Sequence, residues 1–270
     1  MQKRYNLEMY SPNNKGDRKQ PVVVFGCYGR GTKADIKNHK GLCVIVWSGS
    51  DSVRLHEDGS FVQFCKENAH RVFHIAHSHW IQTDLKHFGF DVIDRVVIPK
   101  DLSGFKFEAH VGESVYHYGT QQRTWYYGTD LMRKLAKQWN KWAHMPNIHM
   151  ATQTTFKFRE LYDIYKDSFI GVRLTEHDNM AMSVIEMALM GRPSIFNGNV
   201  PGAIAYSDMQ YTEYTPLTRR QWVWQDEKTL LPIVSNMILE ADRRPDPLLA
   251  QEALEFIHDD EKWLDTEFYG

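Results

Sequence analysis

The residues of this sequence that could do chemistry are concentrated between Gly171 and Asn197, in the stretch GVRLTEHDNMAMSVIEMALMGRPSIFN. An acidic segment ending at Asp178 precedes a predicted helix of Met, Ala, Val, Ile and Leu that carries one carboxylate, Glu186. Burying a carboxylate without a partner is unfavourable. Glu186 therefore needs a partner, and two are open: the hydroxyl groups of a ribose, or a cation of the chain such as Arg192.

A second feature is the backbone at the start of this predicted helix. Asn179 and Met180 would present unpaired N–H groups and the positive end of the helix dipole, a combination that binds phosphate. Asp178 would cap the helix and face the ligand at once. The alternative is a capping box, in which Thr175 and Asp178 satisfy those N–H groups without any ligand.

Arg173 lies at the end of the strand predicted before this helix. A guanidinium binds phosphate oxygens in bidentate fashion, so Arg173 could neutralise a departing diphosphate. It could equally pair with Glu176 or Asp178. No Asp-x-Asp pair occurs in the chain, so we expect no metal and assign the phosphate charge to helix amides and cationic side chains.

In the first half of the chain, polar loops follow three predicted strands. Gly29 lies in the glycine-punctuated loop of residues 26–33, which could hold phosphate or an acceptor but matches no nucleotide-binding fingerprint. Asp51 could orient an acceptor hydroxyl or take its proton, or simply form a turn. His77 could touch a sugar or be structural, and neither it nor His79 has neighbours that suggest a metal site.

Strands and helices alternate along the sequence, which is typical of open parallel α/β sheets whose ligands bind after the strand C-termini. The polar stretch 101–113 favours a boundary between two such units. The predicted strands are residues 21–25, 42–47, 71–76, 92–99, 114–118, 147–152, 168–172 and 193–196. The predicted helices are residues 34–39, 81–89, 131–142, 156–165, 180–190, 226–242 and 247–258.

The composition is that of a globular protein with balanced charge. Its 270 residues, 42% hydrophobic and 24% charged, suit one large domain or two ordinary ones. A net charge of -2 excludes a polycation but allows a local basic groove. The three cysteines show no metal-ligand or disulfide spacing, and no segment resembles a signal peptide or a membrane span. We therefore expect a cytoplasmic monomer or homodimer.

Residues 165–205 resemble the donor-binding segment of retaining GT-B glycosyltransferases. In that family an acidic residue, seven intervening residues and a Glu precede a helix-ending glycine and a strand. Asp178, Glu186 and Gly191 match this order, with Asp in place of the usual first Glu. Glu176 lies ten residues before Glu186 and matches less well, so the choice between Glu176 and Asp178 stays open. The short chain is similar to the compact members found in phages and large viruses.

The resemblance implies an α/β fold of the GT-B type, two Rossmann-like doubly wound domains facing a central cleft. Residues 1–110 would form the acceptor-side domain and residues 111–270 the nucleotide-sugar domain. It implies a hexosyl or pentosyl transferase that uses a nucleotide diphosphate-sugar, such as a UDP-sugar, as co-substrate without a tightly bound cofactor. The loop that opens the family's second domain contacts phosphate, which here implicates Gly119, Thr120 and Arg123.

The acceptor is less constrained. Compact viral members include enzymes that glycosylate hydroxymethylated bases, which implies 5-hydroxymethylcytosine in phage DNA within the host cytoplasm. A glycan acceptor, a lipid-linked acceptor, a nucleotide-sugar epimerase and a binding protein of this architecture are the alternatives. Two basic-aromatic clusters could contact DNA or be solvated faces: Arg133, Lys134, Lys137 and Lys141 with Trp139 and Trp142, and Arg219 and Arg220 with Trp222 and Trp224.

Overall fold

Two parallel sheets organise the computed structural model, which describes residues 17–76, 78–94, 98, 101–110, 112–119, 124, 127–151, 158–175, 181–198, 200–206 and 227–268. The strands are β1 (Val22–Phe25), β2 (Cys43–Trp47), β3 (Val72–Ala76), β4 (Val92–Asp94), β5 (Ser114–Tyr118), β6 (Ile148–Ala151), β7 (Ser168–Val172), β8 (Ser194–Ile195) and β9 (Ala203–Ile204). The helices are α1 (Arg30–Asn38), α2 (Ser50–Val53), α3 (Gly59–Glu67), α4 (His79–His87), α5 (Thr129–Trp139), α6 (Phe158–Lys166), α7 (Met182–Leu189), α8 (Glu227–Glu240) and α9 (Pro247–Phe268).

The first sheet has the strand order β1-β2-β3-β4, with every neighbouring pair parallel. All five residues of β2 are buried, as expected for a parallel strand covered on both faces. Its alternate side chains Cys43, Ile45 and Trp47 share a core with Phe61 of α3 and Ile81 of α4. The helices that follow the strands therefore pack on this face and hold the loops at the carboxyl edge.

The second sheet has the order β6-β5-β7-β8-β9, again parallel throughout. The chain leaves β5 towards β6 and then returns past it to β7, so the winding direction reverses between β5 and β7. Such a switch point opens a crevice beyond the strand C-termini, where doubly wound sheets bind ligands. A ligand is therefore expected at the C-terminal ends of β5 and β7.

The chain divides into two compact units between Asp101 and Leu102, with the α9 residues from Asp260 grouped with the first unit. This division falls within the polar stretch 101–113 that composition favoured, and the boundary after residue 110 implied by the resemblance remains a prediction. The carbonyl oxygens of Glu108 and His110 accept hydrogen bonds from Arg192. These bonds tie the segment 102–110 to the second unit, which the polar composition of the segment did not indicate.

Several helices differ from the sequence predictions. Helix α3 was not predicted, and it begins where the Asp58 carboxylate accepts from the Phe61 amide at 3.1 Å. Helix α1 begins at Arg30, four residues before its predicted start, and α9 continues to Phe268. Helix α7 begins at Met182, two residues after its predicted start at Met180. The strands at residues 114–118 and 168–172 have their predicted bounds.

Candidate functional site

Glu186 is a buried carboxylate on α7, with 2% of its surface exposed. The phenolic hydroxyl of Tyr165, on α6, donates to Glu186 Oε2 at 2.8 Å. This partner was missed in the sequence, because a tyrosine 21 residues away in another helix shares no local pattern with Glu186. The buried acid is therefore satisfied in part by a neutral hydroxyl donor, the same kind of group that a ribose offers.

Arg192, the cation considered as a partner for Glu186, makes other contacts. Its Nε donates to the carbonyl oxygen of Ser168 at 2.7 Å. Its Nη1 donates to the carbonyls of Met190 at 2.5 Å and Glu108 at 3.3 Å, and its Nη2 to those of His110 at 2.9 Å and Lys166 at 3.1 Å. A guanidinium has five N–H donors, and all five are directed to backbone oxygens. Arg192 therefore has a structural role in place of the ion pair with Glu186 that was considered from the sequence.

Close packing brings α7 against the end of the second sheet. A Cβ atom on Gly171 of β7 would lie 2.4 Å from Ser194 Oγ and 2.6 Å from Met187 Sδ. These separations are far below van der Waals contact, so only glycine lets β7, β8 and α7 approach this closely. The close approach holds the helix that carries Glu186 directly over β7, the strand that Arg173 follows.

Arg173 is 9% exposed and directly follows β7. Its guanidinium lies over the Tyr118 ring, 4.0 Å from the ring centroid, and 5.3 Å from the Tyr127 centroid. Its Nη1 donates to Ser183 Oγ, on α7, at 3.3 Å. Stacking on an aromatic face fixes the plane of a guanidinium while its charge is retained. Arg173 therefore presents an oriented cation at the end of β7, beside the first turn of α7.

Arg173 and Glu186 act on one common group, the hydroxyl of Tyr116 on β5. Burial raises the pKa of Tyr116, the Arg173 guanidinium lowers it and the Glu186 carboxylate raises it. Arg173 also donates to Ser183, which lies on α7 three residues before Glu186. The structure therefore brings together two of the residues selected from the sequence, a hydrogen-bond acceptor and a cation.

The end of β5 is shaped by His117, Gly119 and Thr129. His117 is buried, with Nδ1 3.2 Å from the carbonyl oxygen of Val172 and Nε2 3.1 Å from Thr129 Oγ1. Because a carbonyl only accepts, Nδ1 carries the proton and Nε2 accepts from the Thr129 hydroxyl. A Cβ on Gly119 would lie 2.4 Å from Thr129 Oγ1. Gly119 is thus required for packing here, and its predicted contact with phosphate remains a prediction.

The capping box considered as the alternative for α7 needs Asp178, which lies outside the described residues. The N-cap residue is Ala181, whose side chain makes no capping hydrogen bond. Thr175 is buried, and its carbonyl oxygen accepts from the Tyr206 hydroxyl at 3.1 Å. The remaining residues selected from the sequence lie outside the described residues. They are His77, Thr120, Arg123, Glu176, Asp178, Asn179 and Met180.

In the first unit, Asp51 is completely buried and joins two loops at the carboxyl edge of the sheet. Its Oδ2 accepts from the Cys27 amide at 2.9 Å, and its Oδ1 accepts from the amides of Ser48 and Ser52, each at 3.1 Å. Burial raises the pKa of Asp51, while these amides act in the opposite direction. These contacts favour a turn-forming role for Asp51 over a role as general base. Its action on an acceptor hydroxyl stays a prediction.

Gly29 is exposed and is the N-cap residue of α1. Its φ of -116° is accessible to any residue, and a Cβ there would meet no atom closer than 4.0 Å. Backbone conformation therefore gives no reason for glycine at this position. Its predicted role in ligand binding remains a prediction.

Within the described residues, no group of three or more His, Cys, Asp or Glu side chains could hold a metal ion. The same part of the chain contains no helix that is both long and apolar enough to cross a membrane.

Known proteins resemble this chain in structure but not in sequence. No protein-family model and no curated protein sequence matches it. TarM of S. aureus, solved as a mutant in complex with fondaparinux, alpha-GlcNAc-glycerol and UDP, matches 91% of the chain at 13% identity and a TM-score of 0.51. Sucrose-phosphate synthase of Thermosynechococcus elongatus matches 90% at 12% identity and a TM-score of 0.54.

The pneumococcal O-GlcNAc transferase GtfA, solved with UDP and GlcNAc, matches 90% of the chain at 11% identity and a TM-score of 0.51. The chain spans about half the length of TarM (52%), 56% of GtfA and 70% of the synthase. The predicted fold class is thus confirmed: this is an α/β chain with two parallel sheets that matches GT-B glycosyltransferase structures.

Proposed function

We propose that this protein transfers a sugar from a nucleotide diphosphate-sugar to a hydroxyl acceptor, with a UDP-sugar as donor. The observation that carries the proposal is the buried Glu186 carboxylate on α7, beside the reversal point of the second sheet. Two of the structurally similar proteins were solved with UDP bound. A nucleotide diphosphate offers ribose hydroxyls for a carboxylate and phosphate oxygens for a cation, which are the two kinds of partner that Glu186 and Arg173 suit.

The proposed roles follow from these contacts. Glu186 accepts hydrogen bonds from the ribose, and Arg173 neutralises the diphosphate as it departs. Asp178, with the amides of Asn179 and Met180, contacts the sugar and phosphates. The protein then acts chiefly by positioning the substrates and stabilising the leaving group. We propose that this hexosyl or pentosyl transfer needs no metal and retains the anomeric configuration.

As acceptor we propose a 5-hydroxymethylated cytosine in DNA. In support, the side chains of Arg133, Lys134 and Lys137 are exposed together on α5, and Trp142 beyond it is 59% exposed. Trp139 is 5% exposed in the core of the second unit, so it is removed from the DNA-contacting cluster suggested by the sequence. The second cluster, at residues 219–224, lies outside the described residues.

The donor site is tested by Glu186→Gln. Glutamine keeps the shape of the side chain and an oxygen for the Tyr165 hydroxyl, but loses the charge and one strong acceptor. We expect the Kd for UDP, measured by calorimetry, to rise at least about tenfold while the melting temperature changes little. Glu113→Gln, at an exposed position before β5, is the matched control and should bind as the wild type does.

Unchanged UDP affinity in Glu186→Gln would refute the ribose anchor. The wild-type protein is also incubated with a UDP-sugar, with and without hydroxymethylcytosine DNA. Conversion of the donor without any acceptor would identify an epimerase, and transfer to a glycan but not to DNA would replace the proposed acceptor.

A further inference from the structure

Three buried polar side chains from three elements meet around Glu186. Tyr116 of β5 and Tyr165 of α6 are 2% and 1% exposed, and Glu186 of α7 is equally buried. The two tyrosine rings meet edge to face, with centroids 4.8 Å apart and planes at 82°. Phe105 also contacts the Tyr165 ring, at 5.8 Å between centroids. Tyr165 thus has almost no freedom to move its ring.

The hydrogen bond between Tyr165 and Glu186 has a fixed direction. A tyrosine hydroxyl has a single proton, and that of Tyr165 is donated to Glu186 Oε2 at 2.8 Å. The Tyr116 ring packs edge to face against the Tyr165 ring. The result is a unit in which Tyr116 packs against Tyr165 and Tyr165 donates to Glu186.

Burial keeps both tyrosines protonated, as the hydrogen bond from Tyr165 to Glu186 needs. Burial raises the pKa of Tyr165 well above its ordinary value, and the neighbouring Tyr116 and Glu186 raise it further. Burial likewise raises the pKa of Tyr116. Neither hydroxyl loses its proton at neutral pH. Tyr165 therefore acts as a fixed donor, and the Glu186 carboxylate is the group whose direction it sets.

We infer that Tyr165 is a positioning residue for the nucleoside: it holds the Glu186 carboxylate in the orientation that accepts the ribose hydroxyls, and Tyr116 holds Tyr165. This inference rests on the proposed function. It goes further by assigning discrimination between ribose and deoxyribose to a three-residue unit rather than to Glu186 alone. An unsupported carboxylate on a helix can rotate about its own side-chain bonds, whereas one held by a buried phenol presents its oxygens in a single direction.

Helix α6 also provides a matched control. Tyr162 lies one turn before Tyr165, and its hydroxyl donates to Glu108 Oε2 at 3.2 Å. It therefore has the same residue type, the same helix and a carboxylate partner, but not the buried position beside Glu186. Tyr162→Phe removes a tyrosine–carboxylate bond from α6 without touching the unit of Tyr116, Tyr165 and Glu186.

The test compares UDP with 2′,3′-dideoxy-UDP, which lacks both ribose hydroxyls. We expect the wild-type protein to prefer UDP by at least about tenfold, and Tyr165→Phe to weaken UDP binding about tenfold. Dideoxy-UDP should bind the wild type and Tyr165→Phe equally, and Tyr162→Phe should bind both ligands as the wild type does. Equal weakening of both ligands, or a wild-type preference retained in Tyr165→Phe, would overturn the inference.

A second variant keeps the test decisive if Tyr165→Phe does not fold. Tyr116→Leu removes the ring that packs edge to face on Tyr165 and should lower the preference for UDP by about threefold, since it loosens the Tyr165 ring without removing its hydroxyl. A preference equal to that of the wild type would overturn the inference. Failure of the wild-type protein to bind UDP at all would instead overturn the proposed function, so the two failures are distinguishable.

Discussion

At the residue scale, the surroundings of Arg173 fix the orientation of a nearly buried cation that we propose binds phosphate. Its guanidinium stacks over Tyr118 and lies near Tyr127, and Ser183 accepts one of its N–H groups. A planar guanidinium gains from aromatic stacking, whereas a lysine ammonium is a compact point charge with three donors. The geometry of the group therefore matters as much as its charge.

This predicts that Arg173→Lys weakens UDP binding about tenfold while the affinity for uridine, which has no phosphate, stays at the wild-type level. Calorimetry with the two ligands checks the prediction. Arg133→Lys is the control, because Arg133 is exposed and paired with Asp130 at 2.9 Å on the surface of α5. If uridine and UDP lost affinity equally, Arg173 would support the fold and not the phosphates.

At the element scale, Arg192 fixes the positions of the elements that form the Glu186 environment. It binds carbonyl oxygens at the end of α6, at the start of β7 and just after α7, and two more in the segment 102–110. Carbonyl groups at helix ends lack partners within the helix. One buried side chain supplies these donors, and burial lowers its pKa without removing its charge.

Replacing Arg192 should therefore destabilise the second unit strongly. Arg192→Met leaves several buried carbonyls without donors and should lower the free energy of unfolding by about 3 kcal/mol or more. Arg192→Lys should recover only part of this loss, because an ammonium has three donors in place of five. Urea unfolding followed by circular dichroism measures both. A Met variant as stable as the wild type would show that water replaces the guanidinium.

At the scale of the whole molecule, each unit contains a buried neutral histidine. Burial lowers the pKa of His74 in the first unit to about 3 and that of His117 in the second to about 4, from 6.5. His74 accepts from Trp47 Nε1 at 3.1 Å and stacks on Phe90. Both units are therefore expected to lose stability in acid for the same reason.

The direction in which stability changes with pH depends on how many protons the folded and unfolded states bind. Above pH 6.5 both histidines are neutral in the folded and unfolded protein, so their contribution to stability is complete. As the pH falls from 6.5 towards 4, only the unfolded state takes up protons, and stability falls by about 1.4 kcal/mol per pH unit for each histidine. Asp51 works in the opposite direction, since burial raises its pKa.

Variants of His74 and His117 separate the contributions of the two histidines to the loss of stability in acid. His117→Gln and His74→Gln, which retain hydrogen-bonding groups, should each reduce the loss of stability between pH 6.5 and 5, and the double variant should reduce it further. Urea unfolding at a series of pH values measures this dependence. Slopes equal to that of the wild type would refute the assignment to these two histidines.

The order of the elements was largely accessible from the sequence. Continuous apolar runs predicted β2 and β7, because a parallel strand covered on both faces excludes polar side chains. Helices with weak periodicity were harder to predict: α3 depends on the cap from Asp58, and the first turn of α1 contains Gly31, which disfavours a helix. The local sequence pattern therefore predicts whether a segment is a helix or a strand more accurately than it predicts where that segment begins.

The residues that could bind a ligand were also visible in part. By itself, the sequence determined that one carboxylate, Glu186, would lie within an otherwise apolar helix, and that Arg173 would directly follow the strand before it. Only the tertiary structure decided their partners: Tyr165 rather than Arg192 for Glu186, two tyrosine rings for Arg173, and backbone amides for Asp51. Periodicity determines which face of an element is buried. The order of strands in the sheet determines which buried faces meet, because it places residues that are far apart in the chain next to one another.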